Sequence, residues 1–261
     1  MNIPRCFQHP GPRLCAALAL LALLAGCASV PQPDPRDPWE GYNRGMTRFN
    51  DTVDGAIFKP VATIYKNVLP RPARTGVSNF FGNLSDVWSL VNNALQAKPV
   101  DAMTSFWRVA INTTIGLGGV LDPATDLRLQ RARQDFGQTL GYWGMEPGPY
   151  LVLPLLGPST LRDTAALPVD WYGHPIAQMD DVAARNWLRA VQFLDVRSQL
   201  LGVDDLMTAA SPDPYAFTRD AYLQKRQSGI DNGHPPPPEE RYDLDEQGRP
   251  LPVQPAAPAS R

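Results

Sequence analysis

DPWEGYNRGMTRFNDTVDGAI, residues 37–57, is the stretch on which the fold class turns. Asp37 stands where a helix cap would, Pro38 follows at a position where a missing N–H costs nothing, and Glu40 lies three residues after the cap. Trp39, Tyr42, Met46, Phe49, Val53 and Ile57 then recur at steps of three and four, with Asn43, Arg44, Thr47, Arg48, Asn50, Asp51 and Asp54 opposite. That spacing predicts an amphipathic helix.

Working outward, similar segments occupy about 60–68, 71–81, 85–97, 99–115, 158–171, 180–201 and 214–228. Many begin at proline and end near glycine or proline, so the expectation is an all-α domain of short helices joined by tight turns. No stretch alternates with period two over a useful length, which argues against sheet folds. The chain carries six Trp, eight Tyr and nine Phe, many on helices with one apolar face. Two environments suit them: a protein core, or the boundary between acyl chains and headgroups, where one end of an aromatic is apolar and the other wet.

Upstream, Arg5 and Arg13 precede an apolar run from Leu14 to Leu24, which is closed by Ala25-Gly26-Cys27. About half the roughly 20 residues that a bilayer span needs, this run reads as a secretory leader over residues 1–26. Small residues before the cysteine suit lipoprotein processing, so Cys27 is the expected lipidation site. Ala28, where an inner-membrane retention signal would place Asp, resembles a Gram-negative sorting signal for the outer membrane.

Residues 27–36, with Pro31, Pro33 and Pro35, read as an extended tether, 37–233 as the helical domain, and 234–261, opening on His234 and Pro235–Pro238, as a disordered tail. The leader removes Cys6 and Cys15, and acylation occupies Cys27. Disulfides, thiolate metal sites and cysteine nucleophiles are thereby excluded from the mature part. Its 22 Lys and Arg against 26 Asp and Glu give a net charge of −4, which does not suit a nucleic-acid partner.

Residues 137–157, GQTLGYWGMEPGPYLVLPLLG, are rich in glycine and proline. Both a buried turn with a hydrophobic plug and a hairpin loop that moves or packs against an acyl chain are compatible with them. Ser159, His174 and Asp170 could be assembled into a lipase triad. However, Gly157-Pro158-Ser159-Thr160-Leu161 lacks the second glycine of a nucleophile elbow, and no strand–helix pattern surrounds it. Ser159 or Thr160 reads better as a helix cap. Gly116-Leu117-Gly118-Gly119 lacks the spacing of a dinucleotide loop and reads as a helix end before the start signal Asp122-Pro123. Asp180-Asp181 and Asp204-Asp205 read as first-turn acids with no third ligand for a metal. No cofactor and no enzymatic activity are expected.

The blocks Asp37–Arg44, Phe49-Asn50, Gly76–Phe80, Phe136–Gly141, Gly148-Pro149-Tyr150, Leu161-Arg162-Asp163 and Asp213-Pro214-Tyr215 occur in an order that resembles the MlaA (VacJ) lipoproteins, over nearly all of the folded region. The resemblance implies a ring-like, all-helical lipoprotein in the inner, periplasmic leaflet of the outer membrane. An amphipathic channel would let phospholipids misplaced in the outer leaflet leave for a periplasmic phospholipid carrier. A trimeric outer-membrane porin is the implied membrane-spanning partner. Carried over by position, Gly141, Gly144, Gly148, Pro149 and Tyr150 fall in the family's hairpin loop beside the channel, with the three glycines as flexible points and Tyr150 as a packing residue. Asn43, Phe49 and Asn50 fall in the N-terminal region where channel control can be disturbed. The other classes left open are a lipid-active hydrolase and an envelope scaffold.

Overall fold

A computed structural model describes residues 34–203 and 211–231. Cys27, the leader, most of the tether, Asp204-Asp205, His234 and the proline-rich tail lie outside the described residues. Helix α1, Glu40–Val53, passes through a π-helical turn, Asp54–Phe58, into α2, Lys59–Val68. Pro60, with no N–H to donate, falls just after the π turn, where the i→i−4 ladder is already interrupted. Then follow α3, Arg71–Leu95, α4, Pro99–Thr114, and a single turn α5, Pro123–Asp126, capped by Asp122. Helix α6, Phe136–Tyr142, leads to strands β1, Tyr150–Leu153, and β2, Gly157–Thr160. The chain continues as α7, Leu161–Gly173, a 3₁₀ turn, Pro175–Gln178, α8, Val182–Leu200, and α9, Pro214–Ile230.

Four expectations need correcting. The segments expected at 71–81 and 85–97 form one 25-residue helix. Gly82 lies inside it as a close-approach position rather than a stop: the guanidinium of Arg131 lies over it, where a Cβ would come within 2.5 Å. Asp37 is not a cap: position 39 precedes the first helical residue and makes no side-chain cap bond, while Asp37 turns inward and is fully buried. The region 137–157 is not all loop, since its start is helical. The capping box of Asp135 and Gln138 closes on that helix, and its D-x-x-Q spacing was visible in the sequence. Finally, a strand pair interrupts the helical pattern. Tyr150 pairs with Thr160 and Leu153 with Gly157 in antiparallel register, leaving only Pro154-Leu155-Leu156 at the tip. Four-residue strands are too short for period-two alternation to stand out.

The larger surprise is the direction of the amphipathic faces. On α1 the buried residues are Glu40 and Asn43, while Trp39, Phe49 and Ile57 on the expected apolar stripe are exposed. The α3–α4 pair repeats the inversion. Asn83, Asp86, Ser89, Asn92 and Asn93 of α3 face Ser105, Arg108 and Asn112 of α4, and the outer side of α4 shows Val100, Met103, Phe106 and Trp107. Among the described residues, polar and charged side chains outnumber apolar ones in the buried set by more than two to one, and five of the six tryptophans are exposed. In water this arrangement forfeits the hydrophobic gain of burial and desolvates polar groups; it is favourable only where the exterior is itself apolar.

The polar interior holds together because most of its groups are paired, Asn83 Oδ1, Asn93 Oδ1 and Gln96 Oε1 being buried without a hydrogen-bond partner among the described residues. Arg108, 1% exposed, donates through Nε to Asp86 at 3.1 Å, through Nη2 to both oxygens of Asp122 at 3.0 and 2.9 Å, and through Nη1 to Thr125 and the Leu129 carbonyl. Arg131 closes the other side of Asp86 at 3.0 Å. Asn112 donates to Asp122 at 2.9 Å and accepts from the Ala124 N–H at 3.1 Å. One guanidinium thus ties α3, α4 and the turn after them, satisfying the bonds that burial would otherwise leave open.

Candidate functional site

Three of the sequence-selected residues come together at the hairpin. Asn43 is fully buried. Its Nδ2 donates to the Tyr150 carbonyl at 3.0 Å and to Asp37 at 2.8 Å, and its Oδ1 accepts the Val152 N–H at 2.8 Å. Seven residues on, Asn50 repeats the grip: Nδ2 donates to the Leu153 carbonyl at 2.9 Å and Oδ1 accepts the Leu155 N–H at 2.8 Å. Seven helical residues advance about 10.5 Å and three strand residues about 10 Å, so two amides on one helix face match two peptide groups along one strand. Each side-chain amide does for the strand what a neighbouring backbone would do. Helix α1 therefore clasps the free edge of β1. Phe49, between the two asparagines in sequence, lies on the opposite, exposed face.

The other side of the hairpin has a small apolar centre, in which Tyr150 and Val152 pack with Tyr215, flanked by Met46, Tyr222 and Leu223. The Tyr215 hydroxyl donates to Asp37 at 2.5 Å. Burial first, then the carboxylate beside it, pushes the Tyr215 phenol far above its usual range, so it stays a donor. Arg219 reaches Asp37 at 3.4 Å and Asp34 at 3.0 Å, Arg36 reaches Asp34 at 2.7 Å and Asp220 at 2.9 Å, and the Arg36 carbonyl accepts the Tyr150 N–H at 2.8 Å. The end of the expected tether, residues 34–36, is accordingly stapled to α9 and to the first residue of β1. The hydrogen bond from Arg36 holds the Asp34 carboxyl down at about 2.

The sequence-selected glycines differ from one another. Gly141 is inside α6, where a Cβ would meet Arg162 and Ile230 at 2.5 Å; it is a close-packing position rather than a hinge. Gly144, at φ +94°, has open space around it, and Gly148, at φ +65°, lies over Leu161. The Pro149 carbonyl accepts the Leu161 N–H at 3.0 Å and ties the loop to the start of α7. Under this loop opens a cleft of about 760 Å³, walled by Pro35 and Arg36, by residues 146–149, by Thr160 and Arg162, and by the 220–227 face of α9. No pattern in the sequence announced this cleft, because its walls come from four separate segments.

The imagined triad is not assembled. Ser159 does lie on a strand that leads into a helix, contrary to the expectation for its surroundings, but its hydroxyl shares a hydrogen bond with Thr164 at 2.9 Å, and Thr160 is the cap, accepting the Asp163 N–H at 3.2 Å. Asp170 accepts from Trp88 Nε1 and the Phe136 N–H, each at 2.8 Å. His174 Nδ1 accepts the Ile176 N–H at 3.4 Å, and desolvation lowers its pKa, so it sits neutral within the fold.

Comparisons with known proteins place the chain in a family. The family model described as MlaA lipoprotein matches residues 35–229. The chain belongs to the MlaA lipoprotein family. It is 40% identical over 233 residues to the intermembrane phospholipid transport system lipoprotein MlaA of Escherichia coli, a match that covers 86% of this chain and 91% of that protein. The Haemophilus influenzae protein of the same name is 33% identical over 237 residues, covering 84% and 90%. A solved structure from work on the structural basis for maintenance of bacterial outer membrane lipid asymmetry superimposes with a TM-score of 0.65 at 37% identity, covering 74% of this chain and 98% of that one. The MlaA-family match spans α1 and the hairpin it clasps through to α9, so the asparagine grip and the cleft both lie within it.

Proposed function

We propose that this chain is an outer-membrane lipoprotein that serves as a phospholipid conduit. It would sit as a ring-like body in the periplasmic leaflet, held by acylated Cys27, and take misplaced outer-leaflet phospholipid toward a soluble periplasmic carrier, beside a trimeric porin. The observation that carries this reading is the inverted packing: apolar and aromatic side chains cover the outside of α1, α2, α4 and α8, while amides and ion pairs fill the inside. An apolar exterior meets acyl chains without a penalty. A polar interior offers a headgroup hydrogen bonds that hydrocarbon does not, which lowers the costly part of moving it. No helix among the described residues is long and apolar enough to cross a membrane. The clasped hairpin is the movable element, and its grip by Asn43 and Asn50 sets how firmly it is held. The relatives' names, as phospholipid transport lipoproteins, point the same way.

The conduit reading needs no catalytic group, and Ser159, His174 and Asp170 are each engaged elsewhere. The test is outer-leaflet phospholipid in a deletion strain complemented with wild type, with Ser159→Ala/His174→Ala, or with Gly144→Pro, which the φ of +94° does not admit without moving the loop. Deletion should raise surface phospholipid, the double variant should restore it, and the loop variant should not. Failure of the double variant while folded would give the role to hydrolysis; a silent deletion would leave a scaffold.

A further inference from the structure

We propose that the cleft beneath the hairpin loop docks a zwitterionic phospholipid headgroup, a phosphate ester that carries an ammonium group; this deepens the conduit reading and rests on it. The first argument is unused hydrogen-bonding capacity. Arg162 is 5% exposed and donates through Nε to Asp163 at 3.0 Å and through Nη1 to the Met145 carbonyl at 3.1 Å, and among the described residues its Nη2 has no partner. Arg36 spends Nε and Nη2 on Asp34 and Asp220 and leaves Nη1. Glu146, exposed on the loop, lines the same cleft and has no partner for its carboxylate among the described residues. Two guanidinium edges and one free carboxylate therefore line one cleft.

Charge selects between occupants. The lining holds three arginines against Glu146 and Asp220, but Asp34, Asp37, Asp135 and Asp163 stand directly behind it, with Arg219 as the one further cation in those ion pairs. The local sum is acidic, which disfavours a bare phosphate or a headgroup with only negative charge. A zwitterion answers both signs, with its phosphate on the guanidiniums and its ammonium on Glu146 and Asp220. Proline and Leu223 side chains form the apolar part of the wall, which suits the glycerol and first acyl carbons. Arg36 is nine residues from Cys27, at most about 30 Å of extended chain, so an acylated anchor keeps the cleft close to the lipid surface.

The test uses the full-length lipoprotein in detergent and water-soluble headgroups, with binding read by ligand-detected NMR. Glycerophosphoethanolamine should bind about tenfold more tightly than glycerophosphoglycerol or inorganic phosphate, the size of one charge-assisted hydrogen bond. Arg36→Gln and Glu146→Gln should each weaken it several-fold, and Glu146→Lys should reverse the preference toward glycerophosphoglycerol. Both positions are exposed, and circular dichroism checks that the variants fold. Equal or tighter binding of inorganic phosphate, or indifference to all three substitutions, overturns the proposal. The surface-phospholipid assay separates the two claims. A silent deletion sinks the conduit itself, whereas normal complementation by a protein without headgroup preference sinks only the docking site.

Discussion

Helices α4 and α9 carry comparable numbers of apolar residues and turn them in opposite directions. On α4 the buried side chains are Ala102, Ser105, Arg108 and Asn112, and Val100, Met103, Phe106 and Trp107 face out. On α9, Tyr215 is buried together with the ion-paired Arg219, Tyr222 and Leu223 pack on the apolar centre, and Asp220, Gln224, Lys225, Gln227 and Ser228 are exposed, with Phe217 the one large apolar side chain turned out. Helix α9 turns mostly polar side chains outward and α4 mostly apolar ones, the pattern that water and, in the conduit reading, hydrocarbon would favour. Around α9 the apolar centre of Tyr150, Val152 and Tyr215 is ringed by the ion pairs of Arg219 and Arg226, whereas the side of α4 that faces α3 is held by directional hydrogen bonds and ion pairs.

The most severe way to break this comparison is Arg108→Met. It strips buried Asp86 of one of its two guanidinium partners and half-buried Asp122 of its two-point contact, leaving Arg131 at 3.0 and 3.5 Å from them, so the α3–α4 unit should lose about 3 kcal/mol, read by thermal or denaturant unfolding in detergent. If the loss is below about 1 kcal/mol, the polar interior is not what holds α4. Acid is the next lever. Burial tends to raise the Asp122 carboxyl, but hydrogen bonds from Thr125, Asn112 and Arg108 outweigh it and hold it at about 2, against 3.8 as the ordinary value. Because the folded pKa is depressed, the stabilisation is complete above about pH 4 and is lost as pH falls through 2. Roughly 2 kcal/mol should disappear over that window and be absent from Asp122→Asn. Asp86 shifts the other way, burial outweighing Arg131 and Arg108, so it does not add to this acid loss.

A smaller effect sharpens the α9 side. Asn50→Ala removes two hydrogen bonds to the tip of the hairpin without touching the Tyr150 and Tyr215 centre. Amide exchange at Leu155 should speed up about tenfold, corresponding to roughly 1.4 kcal/mol of local opening, with little change at Val152, which Asn43 still holds. Uniform acceleration along both strands would show that the two asparagines act as one unit. The smallest effect on the fold belongs to Trp107→Gln, outside α4. Unfolding in detergent should move by no more than about 0.5 kcal/mol, while partitioning onto vesicles should fall by about 1 kcal/mol or more. The reverse outcome would make that face a protein core.

How much of this was legible depends on what each signal measures. Caps are local, so Asp122-Pro123 announced a helix start that the structure has; Asp181, expected as a first-turn acid, is instead the cap of α8, and the caps at Asp213 and in the Asp135–Gln138 box carry the same local signal. Asn43 and Asn50 were singled out by family position; nothing in their own neighbourhood on α1 foretold that they grip a strand more than 100 residues away. A hairpin loop was among the readings of 137–157, but its strand pairing was not legible, because four residues give two periods of alternation and Pro154 with Pro158 looks more like a break than a strand.

The sequence by itself determined that this chain is helical, where most helices start, and that each has an apolar and a polar face, because capping and 3.6-residue periodicity act over a single turn or two. Only the tertiary structure decided which face points inward. Periodicity is unchanged when a helix is rotated half a turn about its axis, and the choice is made by distant partners, Asp86 and Asp122 for Arg108 and the β1 peptides for Asn43 and Asn50, together with the solvent that the other face must meet.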